Sequence, residues 1–207
     1  MSAGAAGAGV PHQYVGLVRG INVGGSNRIT MADFRAVFEG LGFSEVKTLL
    51  QSGNVVFASP RELGAADVVS IERGFEAAAG FRASFVVLSV AQFLAVLAAD
   101  PLQVGTDPSR RVVTFLPQTP DARPTPAPAA GAEPPDLELP HLELPDAAAI
   151  APEVFALGPH AVYSWHPDGI SKSRVHSAWW KQLGPAYTAR NLNTTTKLAA
   201  LLAARAS

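Results

Sequence analysis

The stretch YVGLVRGINVGGSNRITMADFRAVFEGLGFSEVKTLLQSGNVVF, residues 14–57, decides the fold. It opens on an apolar strand, YVGLVR (14–19), and runs through a polar loop to Thr30, whose hydroxyl suits an N-cap with Asp33 three residues on. Met31, Phe34, Val37, Phe38 and Leu41 then recur at i, i+3, i+4 spacing, which marks one buried helical stripe, and Gly40 and Gly42 close the helix. A second strand is expected over 46–51, then a tight Ser52-Gly53-Asn54 turn and a third strand over 55–58. Working outward, Ser59 and Pro60 introduce a second helix near 61–79, with Leu63, Asp67 or Val68, Ile71, Phe75 and Ala78 on one face and Gly80 as its stop. A strand over 82–88 completes β-α-β-β-α-β, the split βαβ or ferredoxin-like arrangement, so the fold class is α+β.

Further along, Ser89 with Gln92 reads as a capping box opening a helix over 90–99, which Asp100-Pro101 stops. Strands are expected over 111–116, 154–157 and 161–165, with helices near 174–183 and 194–205. Asn193 is the expected N-cap of the last helix, and Leu198, Leu201 and Leu202 its inward face. These elements make a second, less regular α+β half, with no tandem repeat of fixed period. The predicted organisation is a disordered Ala/Gly tail over 1–12, a ferredoxin-like domain over 13–89, and a second α+β domain over 90–207. That second domain carries an acidic insertion at about 117–152, where ten of the seventeen prolines fall. Missing amide donors and fixed φ angles there predict an extended, mobile segment.

Composition narrows the function classes. Apolar residues make up 48% and charged residues 16% of the 207, which favours a folded chain. Sixteen basic against seventeen acidic side chains leave a net charge of −1, so no whole-chain field favours nucleic acid or an anionic membrane. Charge is nonetheless uneven: 117–159 holds one base and seven acids, and 160–207 holds six bases and one acid. With no cysteine, a disulfide framework, a thiolate nucleophile and a Cys-rich zinc site are excluded. The opening MSAGAAGAG lacks the cationic start and apolar run of a secretory signal, and the apolar region 81–97 is interrupted by polar residues. A soluble cytoplasmic protein is expected.

Right-handed crossovers make the first and second strands parallel, with the third antiparallel between them. That brings the loop RGINVGGSNRIT (19–30) beside the turn Gln51–Asn54 at one rim of the sheet. The loop is about twice the usual βα length of 2–6 residues. It offers Arg19, Asn22, Gly24, Gly25, Ser26, Asn27 and Arg28 beside Gln51, Ser52 and Asn54, a set of donors suited to an anion near a helix start. The same residues also serve plain structural ends, glycines for turning and asparagines for local capping. A second polar cluster, TARNLNTTTK (188–197), adds Arg190, Asn191 and Asn193. Both GxxxxGK[ST] and GxGxxG are absent, and the five histidines form no HExxH pair, so neither a cofactor nor a metal is expected. HPDGISKSR (166–174) holds Ser, His and Asp too close in sequence for a catalytic triad, and no GxSxG elbow is present. Trp165, Trp179 and Trp180 read as packing residues, and Tyr14 and Phe57 are the only aromatics on the central strands.

The stretches 14–57 and TARNLNTTTKL (188–198) resemble the bacterial family known as domain of unknown function 1697. Residues matching its motifs are Arg19, Gly20, Asn22, Gly24, Gly25, Gln51, Ser52, Gly53, Asn54, Thr188, Arg190, Asn191, Asn193 and Thr194. The resemblance implies an α+β fold with ferredoxin-like halves and carries no established activity. This chain has Leu192 where the pattern leads one to expect Trp, which removes an aromatic stacking role there. The reading that follows is a binding protein for a small anionic, phosphate- or nucleotide-like ligand. Two alternatives stand beside it: an interaction module using the proline-rich arm, and a single-stranded RNA-binding module, which lacks the glycine-aromatic signature and is not favoured.

Overall fold

The computed structural model describes residues 11–25, 27–118 and 142–206. Most of the expected tail, Ser26, and most of the proline-rich insertion with His141 lie outside the described residues. The first half runs β1 (His12–Val18), α1 (Met31–Gly40), β2 (Ser44–Leu49), β3 (Asn54–Ser59), α2 (Ala65–Ala79) and β4 (Phe85–Ser89), followed by α3 (Val90–Ala98). Its sheet has the order β2-β3-β1-β4, with β3 antiparallel to both β1 and β2, as the crossover argument requires. Thr30 caps α1 by accepting from the Asp33 amide at 3.0 Å, and Ser89 caps α3 from Gln92 at 3.2 Å.

The second half runs β5 (Arg111–Phe115), α4 (Ala147–Ile150), β6 (Val154–Gly158), β7 (Ala161–Trp165), α5 (Ser177–Lys181), β8 (Thr188–Asn191) and α6 (Leu192–Ala206). Its sheet order is β6-β7-β5-β8, the first half's order shifted by four strands. The sequence shows no repeat, yet the topology repeats. What is irregular in the second half is its crossover helices, which shrink to four and five residues.

Several local expectations are corrected. TARN is the edge strand β8 rather than the polar lead-in of a helix, and α6 begins directly after it. Its cap is therefore Asn191, whose Oδ1 accepts from the Thr194 amide at 3.0 Å, whereas Asn193 lies exposed on the helix itself. Helix α2 starts at Ala65 rather than near 61, because the Asp67 carboxylate accepts from the Gly64 amide and is held by Arg61. Leu41 is 39% exposed because α1 has already ended, and Ala79, four residues after Phe75, takes the core position expected of Ala78.

Strict alternation along the strands sorts the core into layers. Tyr14, Val18, Val55, Phe57, Phe85 and Val87 face α1 and α2. Val15, Leu17, Val56, Val86 and Leu88 face the other way and meet Val113, Phe115, Ala161 and Tyr163 of the second sheet, with Phe93 and Val96 of α3 and Leu198 and Leu202 of α6 between them. The outer face of the second sheet packs Val162 against Val175, Trp179 and Leu183. The halves thus share one core, and each full burial of a Phe, Leu or Val there contributes about 1.5–3 kcal/mol. Among the described residues no helix is long and apolar enough to cross a membrane.

Candidate functional site

The rim expected from crossover handedness is present. Asn22, in the left-handed region at φ 55°, donates from Nδ2 to the Ile29 carbonyl and to the Gln51 carbonyl, each at 3.0 Å. Its Oδ1 accepts from the Ile29 amide at 3.0 Å, and its own amide donates to the Asn27 carbonyl. Asn22 therefore folds the long loop and ties it to the β2–β3 turn. Gly53 turns that corner at φ 80°, where a Cβ would lie 2.4 Å from Val18 Cγ1. Asn54 closes it, donating to the Leu49 carbonyl at 2.9 Å and to Ser52 Oγ at 3.2 Å.

Arg190 reaches this rim from the other sheet. Pairing with Val113 puts it on the inner face of β8, and its side chain crosses to the first half. Nε donates to Asn54 Oδ1 at 2.6 Å, and Nη2 to the carbonyls of Val18 (2.7 Å), Ser52 (3.0 Å) and Gly53 (3.0 Å). Nη1 donates to Thr188 Oγ1 and to the Ala189 carbonyl. Every guanidinium nitrogen is committed to the protein and no carboxylate is among the partners, so burial alone lowers the Arg190 pKa to about 10. Arg190 is a cross-brace between the two sheets. With Asn22 and Asn54 it makes the rim rather than offering donors to solvent.

Of the other residues expected at the site, Arg28 bonds the Gly25 carbonyl through Nε at 3.2 Å, and Gly24, Gly25 and Gln51 are exposed. Asn191, the last residue of β8, caps α6 through the Thr194 amide, and Asn193 lies exposed on the first turn of that helix. Arg19 is placed differently from all of these. Its Cζ lies 4.1 Å from the centroid of the Tyr187 ring, a cation–π contact that fixes one face of the guanidinium and leaves its N–H edges free of ion pairs among the described residues. Tyr187 stacks at 21° on Trp180, which meets Trp179 edge-on, and Trp179 meets Phe155. The tryptophans are packing residues, as read from sequence, but their row ends in a surface cation.

Two clefts meet at Arg19. One, of about 560 Å³, is lined by Arg19, Ser177, Trp180, Lys181, Pro185 and Tyr187, with two cations and no carboxylate. The other, of about 670 Å³, is lined by Arg19, Arg73, Arg82, Glu72 and Glu76 among others. A third, of about 640 Å³, lies over Asn22, Arg28, Thr30, Asp33 and Gln51. Sequence reasoning missed Tyr187, Lys181 and Arg73. The GPAYTAR stretch, 184–190, carries the ring within a few residues of a family motif, which is the signal that was there to find.

A buried chain of polar groups lies elsewhere. His166 Nδ1 contacts Glu153 Oε2 and Nε2 contacts Ser164 Oγ, each at 2.9 Å, and Ser173 Oγ donates to the same carboxylate oxygen. The connectivity is that of a triad, but Ser164 has no exposed surface, so no substrate reaches it. Burial lowers the His166 pKa against the opposing pull of Glu153. Tyr14 and Phe57 are covered by α1 and α2, which leaves no aromatic base-stacking platform on the first sheet.

The family described as "Protein of unknown function (DUF1697)" matches residues 12–136, more than half of the chain. The chain belongs to DUF1697. Among solved structures, it is similar to a conserved bacterial protein from Streptococcus pneumoniae, with 28% identity and a TM-score of 0.65 over 93% of this chain and 99% of that one. A search of the curated proteins returns no match. The likeness to the solved structure bears out the α+β architecture, while the match to the family ends at 136, short of Lys181, Tyr187 and Arg190.

Proposed function

We propose that this protein binds a small anionic molecule at Arg19, in the cleft floored by Trp180 and Tyr187. The observation that carries the reading is the placement of the guanidinium: its Cζ lies 4.1 Å from the Tyr187 ring, and Lys181 joins it in a cleft with no carboxylate. An arginine already ordered loses less entropy when it closes on a phosphate or carboxylate, and each charge-assisted hydrogen bond contributes about 1.5–3 kcal/mol. The rim built by Asn22, Asn54 and Arg190 supports this by fixing the backbone on which Arg19 stands.

Thermal unfolding with inorganic phosphate and pyrophosphate tests the proposal. A ligand at about 100 times its Kd adds ~2.7 kcal/mol, which for a domain of this size raises Tm by about 5–11 °C. The shift is expected in the wild type and absent in Arg19→Ala. An equal shift in both, or none in either, refutes the assignment.

A further inference from the structure

Resting on that anion site, we infer that the ligand is a nucleoside phosphate, its ring in the aromatic cleft and its phosphate in the charged cleft beyond Arg19. Arg19 and Pro185 line both clefts, so the two spaces meet at one guanidinium. Their characters differ. On one side are Trp180, Tyr187 and Pro185, with Ser177 and Lys181 as the polar groups. On the other, Arg82 is paired with Glu76 at 3.0 Å, and Glu72 accepts from the Phe85 amide at 2.9 Å. Arg73 and Glu72 have no ion-pair partner among the described residues, so with Arg19 the cleft holds three cations against two carboxylates.

A ligand that uses both spaces needs a planar, largely apolar part and an anionic part joined by a short linker. Ser177 and Lys181 are exposed polar groups of the aromatic cleft, and a heterocycle has acceptors for both where a hydrocarbon ring has none. The guanidinium is suited to the junction. Its Cζ lies 4.1 Å from the Tyr187 ring, and a guanidinium so placed has N–H donors to offer phosphate oxygens and a second face to offer a base. Each cleft also falls within the range of about 300–1,000 Å³ usual for small-molecule sites.

Isothermal titration separates this inference from the proposal beneath it. The wild-type protein is titrated with the four ribonucleosides, their 5′-monophosphates and inorganic phosphate. At least one monophosphate is expected to bind tenfold or more tighter than both its nucleoside and inorganic phosphate. Arg73→Ala is expected to weaken that monophosphate about tenfold and leave the nucleoside unchanged. If phosphate binds in an Arg19-dependent way but no monophosphate is preferred, or if Arg73→Ala changes nothing, the inference falls and the anion site stands. If neither phosphate nor any nucleotide binds in an Arg19-dependent way, both fall.

Discussion

Replacing Arg190 with alanine removes the cross-brace between the sheets, and the structure sets the size of the loss. The side chain makes six hydrogen bonds, four of them to the first half. Gly53 keeps the Val18 amide as a second donor, but the Ser52 carbonyl and Asn54 Oδ1 have Arg190 as their donor. Two acceptors stranded at about 1–3 kcal/mol each, with the packing of the aliphatic stem lost as well, predict a cost of about 3–5 kcal/mol. That is a large part of the ~5–15 kcal/mol typical of a folded domain and corresponds to a Tm lower by about 6–20 °C. Urea unfolding followed by circular dichroism measures it. A double-mutant cycle with Asn54→Ala should give a coupling above about 1 kcal/mol, because the 2.6 Å bond joins the two side chains directly. Arg190→Lys should recover only part of the loss, since one ammonium cannot serve acceptors spread over three carbonyls and an amide. A loss under about 1 kcal/mol in Arg190→Ala, or additive effects with Asn54→Ala, would refute the bracing role.

Gly53→Ala should destabilise by about 2–4 kcal/mol, because the new methyl meets Val18 Cγ1 and its carbonyl oxygen at a left-handed φ, while Gly24→Ala, with nothing within 4 Å, should cost only about 1 kcal/mol. Equal unfolding free energies for the two variants would contradict the close approach. For His166 the sign follows from its depressed pKa. The unfolded chain takes up a proton below pH 6.5 that the folded chain refuses, so stability falls as pH drops through that window, by at most about 1 kcal/mol between pH 6.5 and 5.5. His166→Gln should lose this component, so the difference between its curve and the wild type's isolates the buried imidazole. Parallel curves would remove it from the account.

Much of the first half is legible because its sequence and tertiary signals agree. Thr30 and Asp33 mark the start of α1, continuous apolar runs over 14–18 and 55–58 mark two central strands, and handedness then brings loop 19–30 to the turn at 51–54. Strand β8 is not legible for a physical reason. It is four residues long, and its inward positions are Thr188 and Arg190, so no apolar alternation announces it. The same fact hides the role of Arg190, whose guanidinium looks alike in sequence whether it meets a ligand or backbone carbonyls. Arg19 and Tyr187 come from opposite ends of the chain, and only the shared core between the two sheets brings ring and cation together.

The sharpest check on the anion site is a fluorescence titration with pyrophosphate, since Trp180 lines the cleft beside Arg19 and Lys181. A saturable change is predicted for the wild type, with Kd at least tenfold weaker in Arg19→Ala. The fold of that variant should be intact, because an exposed cation–π contact contributes only about 0.5–1 kcal/mol. The same Kd in wild type and Arg19→Ala would contradict the account.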